Sequence, residues 1–215
     1  RLVCVYGLTE AGPSGSILHA EEHLEKPGSI GRRAPFGTEI RIINEHNEDV
    51  APGEVGEIIL YGEGNMREYY KNPEETSKAF VDGWVRSGDL ARMDEDGYYY
   101  IVDRKKDVII SGGENIYPVQ IENFLSAYPK VKDVAVIGLP DKRLGEITGA
   151  IIAVKEGMEC TEEEINDFCK ELPRYKRPKQ IIFAEVPRNA TGKIEKPALR
   201  KKYGAERLVE QQNKA

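Results

Sequence analysis

Apolar and polar positions alternate between turn signals through residues 28–62, where 38–44 and 56–61 read as strands on either side of a polar segment at 45–53. The pattern predicts an antiparallel β region. Two further short strands, 98–102 and 108–111, flank Asp103-Arg104-Lys105-Lys106-Asp107, and periodicity alone makes them a hairpin. Beyond Gly113 the period becomes helical. Ile121, Phe124, Leu125 and Tyr128 follow Pro118, whose fixed φ suits a first turn, and predict a helix of about three turns. Residues 131–139 and 147–154 read as buried strands of one sheet, joined by a polar turn at 140–146. Thr161 stands at capping-box spacing from Glu164, and Ile165, Phe168, Cys169 and Leu172 supply one apolar face before Pro173 ends the run. A strand at 181–186 and a helix at 196–203, with Pro197 in its first turn, follow. The polar tail after Gly204 is expected to be mobile.

The change from β-rich to alternating β and α character predicts an α+β chain with a boundary between Asp103 and Gly113, set at 103/104. A length of 215 residues allows either one large domain or two smaller ones, so it does not disturb that division. Lys and Arg total 31 against 37 Asp and Glu, a net charge of -6, which argues against nucleic acid or anionic lipid as partner and for a small molecule. No apolar run approaches the roughly 18 residues that span a bilayer, and no charged leader with a long apolar region opens the chain. The expectation is a soluble, cytoplasmic protein with no membrane span. Cys4, Cys160 and Cys169 fit neither a CxxC pair nor a disulfide framework and read as ordinary thiols.

Three suggestive strings fail on their surroundings. His19-Ala20-Glu21-Glu22-His23 has the spacing of one zinc-peptidase group, but Gly15 and Pro27 confine any helix there to a few turns and no third ligand is indicated. A solvated surface without zinc is expected. Gly62-Glu63-Gly64 starts like a dinucleotide fingerprint, yet Arg67 holds the third glycine position and no βαβ unit surrounds it. Thr191-Gly192-Lys193 ends like a P-loop, but Pro187 replaces the leading glycine and Ile194 the magnesium-binding hydroxyl. Lys193 needs another explanation.

The explanation lies in an ordered set of strings: Tyr6-Gly7-Leu8-Thr9-Glu10, Ser87-Gly88-Asp89-Leu90, Asp103-Arg104, Ser111-Gly112-Gly113-Glu114-Asn115, and Pro187 followed by Thr191-Gly192-Lys193-Ile194. In order and spacing they resemble the acyl-adenylate-forming superfamily, specifically the C-terminal portion of an AMP-forming acyl-CoA synthetase, and the resemblance covers essentially the whole chain. It implies that 1–103 is the C-terminal part of a large adenylate-forming domain, β-rich and distorted-barrel-like. Residues 104–215 would then be a small mobile α/β domain with a short sheet flanked by helices. By the same resemblance Tyr6 stacks on adenine, Thr9 contacts the α-phosphate, and Glu10 lies near magnesium, a cation that prefers oxygen ligands. Asp89 accepts both ribose hydroxyls with Arg104 as its basic partner, a task suited to a carboxylate, which has two oxygens and no competing donor. Lys193 is the catalytic candidate, stabilising charge at the α-phosphorus; Gly112 and Gly113 face the coenzyme A arm, and Lys106 is the hinge. For each there is a bland alternative: a core tyrosine at Tyr6, a helix cap at Thr9 and Glu10, a turn or surface ion pair at Asp89 and Arg104, a solvated lysine at Lys193, a charged turn at Lys106, a tight turn at Gly112 and Gly113. The basic cluster of Arg174, Lys176, Arg177 and Lys179 reads as a solvated face.

The activity implied is an acid-thiol ligase: a carboxylic acid attacks ATP to give acyl-AMP and pyrophosphate, then the coenzyme A thiol displaces AMP. Expected cofactors are ATP, Mg2+ and coenzyme A. The Ser-Gly-Gly-Glu-Asn string favours coenzyme A over the carrier of a peptide-synthetase adenylation domain. The family's phosphate loop precedes its YGLTE-like segment and is absent upstream of Arg1. An expressed fragment of a longer enzyme, inactive alone, is therefore expected, with a naturally short protein as the alternative. The rival from another class is a non-catalytic nucleotide-binding or interaction module, against which Lys193, Glu10 and Asp89 speak. No residue here names the acid.

Overall fold

A computed structural model describes residues 2–34 and 37–213. The chain forms two compact units that divide after Lys106, and the α+β class expected from the pattern is the one observed.

In the first unit β1 (Cys4–Tyr6) and β2 (Ser16–Leu18) form an antiparallel ladder. The loop between them closes tightly. A Cβ on Gly7 would lie 1.7 Å from the Pro13 carbonyl oxygen, and Gly12 holds φ +65°. A five-stranded antiparallel sheet follows, built from β3 (Glu39–Ile43), β4 (Val55–Tyr61), β5 (Phe80–Val81), β6 (Trp84–Met93) and β7 (Tyr99–Arg104), with α1 (Pro73–Lys78) ahead of β5. Strand β6 is central: β4 lies along one edge, while β5 and β7 share the other. Ala11, Ile42, Ile58, Leu60 and Ala91 form the core beneath. The alternation at 38–44 and 56–61 thus marks two real strands. The pattern missed β6, because its Arg86-Ser87-Gly88-Asp89 run is polar throughout and bulged. Ile59 pairs with Arg86, but Glu57 pairs with Leu90.

The hairpin expected from 98–102 and 108–111 does not form. Strand β7 pairs with β6, a 3-10 turn at Lys105–Asp107 follows, and β8 (Ile109–Ser111) opens the sheet of the second unit. There β8 pairs with β9 (Glu114–Ile116), and α2 (Pro118–Ser126), β10 (Val131–Asp141), β11 (Gly145–Val154), α3 (Glu162–Phe168), β12 (Gln180–Phe183) and α4 (Lys196–Asn213) follow. Strand β11 pairs with β10 on one edge and with β12, in parallel, and β8 on the other. Alternation along β10 sends Val134 and Val136 to the side of Ile121, Leu125 and Ile165, and Ala135 and Ile137 to the side of Leu199 and Tyr203. Helices on both faces explain the continuous apolar runs.

Thr161 caps α3 in a full capping box with Glu164, as its spacing indicated. The strand expected at 181–186 is β12 and ends at Phe183, and two further boundaries differ from the sequence reading. Pairing of β10 with β11 runs out to Asp141 opposite Gly145, so most of 140–146 is strand. The polar tail after Gly204 is helical to Asn213. Arg207 explains that, because its guanidinium donates to Pro140 O at 2.8 Å, Gln180 Oε1 at 2.9 Å and Asp141 Oδ2 at 3.1 Å, tying the helix to the sheet end. Among the described residues no helix is long and apolar enough to cross a membrane.

Candidate active site

Three residues singled out from sequence meet in the first unit. The Tyr6 hydroxyl donates to Asp89 Oδ2 at 2.9 Å, and Arg104 Nε pairs with Asp89 Oδ1 at 2.9 Å. The sheet dictates the second contact, since Asp89 of β6 stands opposite Arg104 of β7 in the ladder. The ring of Tyr6 also packs against the Ala11, Ile42, Ile58, Leu60 and Ala91 cluster, so it is partly a core tyrosine. Burial, then the negative charge of Asp89, pushes the Tyr6 phenol above its ordinary range and keeps it a neutral donor.

Asp89 sits in the bulge of β6, beside Gly88 at φ +69°. Its backbone N–H donates to Ser87 Oγ at 3.0 Å, while the Ser87 hydroxyl donates to Ile58 O at 2.7 Å. Gly88 N–H donates to Glu57 Oε1 at 3.2 Å. Each oxygen of Asp89 accepts one of the contacts above and, as a carboxylate oxygen, has a second lone pair to offer.

Thr9 and Glu10 lie in a 3-10 turn at Thr9–Ala11 that carries no side-chain cap, so neither acts as the cap that their position allowed. Glu10 Oε1 accepts from Tyr69 Oη at 2.9 Å, and Glu10 O accepts from Met66 N–H at 2.7 Å. Burial, then the bond to Glu10, raises the Tyr69 phenol. Thr9 is exposed. Lys106 is exposed in the 3-10 turn at the end of the first unit, next to Lys105, whose ammonium reaches Glu57 Oε2 at 2.9 Å.

The remaining candidates belong to the second unit, in two separate loops. Gly112 and Gly113 join β8 to β9 with φ +61° and +89°, the pair of positive values that a tight two-residue hairpin turn needs. The turn reading is therefore sufficient for both glycines. Lys193 is exposed in a loop that Asn189 organises. Asn189 Oδ1 accepts from Thr191 N–H at 3.0 Å, Thr191 Oγ1 at 2.7 Å and Lys193 N–H at 3.0 Å, and Asn189 N–H donates to Lys193 O at 2.9 Å. Arg188 braces the loop, donating to Gly192 O at 2.6 Å and forking both oxygens of Asp133 at 2.8 Å. In the basic cluster Arg177 donates to Leu172 O and Lys170 O, and Lys176 to Gln120 Oε1.

Sequence reasoning passed over Glu57, Tyr69, Asp133, Arg188 and Asn189, and gave Ser87 no role of its own within its string. Glu57 carried a usable signal, a lone charge inside the apolar run of β4; Tyr69 carried none. The His19–His23 string lies in a succession of turns rather than a helix. Among the described residues no group of three or more His, Cys, Asp and Glu side chains is arranged to hold a metal ion.

In comparison with known proteins, residues 1–70 match the family described as AMP-binding enzyme, and residues 120–193 match the AMP-binding enzyme C-terminal domain. Long-chain-fatty-acid--CoA ligase FadD13 of Mycobacterium tuberculosis is 45% identical over 208 residues, 93% of this chain and 40% of the relative. Feruloyl-CoA synthase of Amycolatopsis sp is 43% identical over 201 residues, 93% of this chain and 41% of the relative. The solved O-succinylbenzoate coenzyme A synthetase (MenE) of Bacillus subtilis, in complex with ATP and magnesium ion, shares the fold with a TM-score of 0.82 at 36% identity, over 92% of this chain and 41% of that one. The chain thus spans about 40% of the length of the curated relatives it matches.

Proposed function

Because the chain belongs to the AMP-binding enzyme family and corresponds to the C-terminal portion of its members, we propose that it carries the adenosine end and the lysine of a site that joins a carboxylic acid to coenzyme A through an acyl-AMP. The observation that carries this reading is the meeting of Tyr6, Asp89 and Arg104.

The residues fit a nucleoside. Asp89 keeps an acceptor direction on each oxygen, its side chain is 20% exposed, and Gly88 adds no side chain beside it, so two ribose hydroxyls can donate to one carboxylate. Arg104 and the Tyr6 hydroxyl hold that carboxylate in one orientation. The Tyr6 ring supplies a face for adenine. Glu10 fits a magnesium ligand, since Tyr69 fixes Oε1 and Oε2 accepts no hydrogen bond from the described residues. Magnesium typically takes one or two carboxylates together with phosphates and water, and when bound it neutralises phosphate charge. Thr9 offers its exposed hydroxyl to the α-phosphate.

Lys193 brings a compact ammonium on a flexible stem, suited to charge developing at the α-phosphorus. Its loop is braced by Arg188 and Asn189, which fix the backbone from which that stem projects. The Gly112-Gly113 turn lets backbone approach the pantetheine thiol, and Lys106, where the two units divide, is the hinge between the half-reactions. Screening acid-dependent ATP–pyrophosphate exchange with the complete gene product and a panel of carboxylic acids tests the activity. AMP binding with no exchange for any acid would favour the non-catalytic binding module instead.

A further inference from the structure

We propose that Glu57, which lies beneath the bulge of β6, is a positioning residue for nucleotide recognition: it fixes the backbone that aims Asp89 at the ribose. The inference rests on the reading of Asp89 as the ribose acceptor.

The register creates the need. Between Ile59↔Arg86 and Glu57↔Leu90, the single residue Ile58 faces Ser87, Gly88 and Asp89, and a bulge of this kind takes backbone groups out of the ladder. Those groups require other partners. Gly88 N–H finds Glu57 Oε1 at 3.2 Å, and Asp89 N–H finds Ser87 Oγ at 3.0 Å. Gly88 holds φ +69°, a left-handed conformation that nothing in a regular strand would maintain.

Glu57 is also an unusual residue for its place. Its side chain is only 6% exposed, and it precedes the buried Ile58, Ile59 and Leu60. A carboxylate so placed requires compensation, which Arg86 Nη1 at 2.7 Å and Lys105 Nζ at 2.9 Å supply on Oε2. These partners matter for position. Arg86 and Gly88 belong to β6, which carries Asp89, while Lys105 directly follows Arg104 of β7. One buried carboxylate therefore grips the chain on both sides of the Asp89–Arg104 pair. A well-packed leucine at 57 would suit burial better, but it would leave Gly88 N–H without its acceptor.

The test is calorimetric binding of AMP, 2′-deoxy-AMP and 3′-deoxy-AMP to the complete gene product. The unsubstituted protein should prefer AMP by about tenfold or more over either analogue, the scale of a hydrogen bond to a charged acceptor. Asp89→Ala should abolish the preference. Glu57→Gln is nearly isosteric and keeps an acceptor for Gly88 N–H, but turns an amide toward Arg86 and Lys105. It should reduce the preference to within about threefold while binding the deoxy analogues almost as before. Ser87→Ala, which removes the other anchor, should do the same. If Asp89→Ala abolishes the preference while folded Glu57→Gln and Ser87→Ala retain it, or weaken all three nucleotides alike, the positioning role is overturned and the ribose reading stands. If Asp89→Ala itself retains the preference, both fall.

Discussion

Removing one oxygen from Tyr6 isolates the contact on which the proposed adenosine site rests. Tyr6→Phe keeps the ring against Ala11, Ile42, Ile58, Leu60 and Ala91 and deletes only the hydroxyl that donates to Asp89 at 2.9 Å. A hydrogen bond to a charged partner contributes about 1.5–3 kcal/mol. The Asp89 side chain is 20% exposed, so water restores part of the loss at the carboxylate. The expected coupling between the two side chains is therefore about 1–2 kcal/mol, read from a cycle of unsubstituted protein, Tyr6→Phe, Asp89→Ala and the double variant. Trp84 makes the assay specific. It is the one tryptophan in the sequence and lies in β6, so its fluorescence during urea unfolding follows the first unit without mixing in the second. Because burial and the Asp89 charge keep the phenol protonated, the coupling should not vary between neutral and mildly alkaline pH. Additive effects, with a coupling below about 0.3 kcal/mol, would refute the claim that Tyr6 orients Asp89.

Other perturbations separate the remaining roles. In the complete gene product, Lys193→Ala should slow acid-dependent ATP–pyrophosphate exchange by roughly 100-fold or more while thioester formation from supplied acyl-AMP largely survives; equal losses in both steps would contradict an adenylation role. Gly7→Ala places a Cβ 1.7 Å from Pro13 O and should destabilise the first unit by about 1–3 kcal/mol in the Trp84 assay, whereas an unchanged midpoint would mean that the loop is not closed as described. The Arg188 guanidinium holds the Asp133 carboxyl below its ordinary range, so the pair stabilises the fold above the unfolded value of about 4 and ceases to as pH falls through the lower folded value. Circular-dichroism melts should then show Arg188→Met less stable than the unsubstituted protein near neutrality, with the gap closing below about pH 4; a gap that widens in acid would reverse the assignment.

What could be read from sequence was whatever repeats within a few residues. The alternation in β3 and β4, the helical spacing after Pro118 and the Thr161 capping box are local, and they survive folding because each encodes which side of one element meets the core. The false hairpin has the same origin. Strands 98–102 and 108–111 have hairpin spacing, but β7 is held by β6 and β8 by β9 and β11, partners that spacing does not register. Strand β6 was hidden because its polar run follows a bulge rather than a period, and α4 was cut short because Arg207 supports it through contacts to Pro140, Asp141 and Gln180.

The candidate site divides along the same line. Tyr6, Glu10, Asp89, Arg104 and Lys193 stood out in ordered strings, and Ser87 stood in one without a role, whereas Glu57, Tyr69, Asp133, Arg188 and Asn189, which hold them, were not singled out. Tyr6 and Asp89 stand 83 residues apart, and Tyr69 and Glu10 stand 59 apart. Only the sheet register and loop packing turn such separations into contacts of 2.9 Å. A string can announce a group that acts on a ligand, because that group must have a particular chemistry. A residue that aims it needs only to arrive at the right place with a suitable hydrogen-bonding atom, so its identity gains meaning when the fold specifies its neighbours.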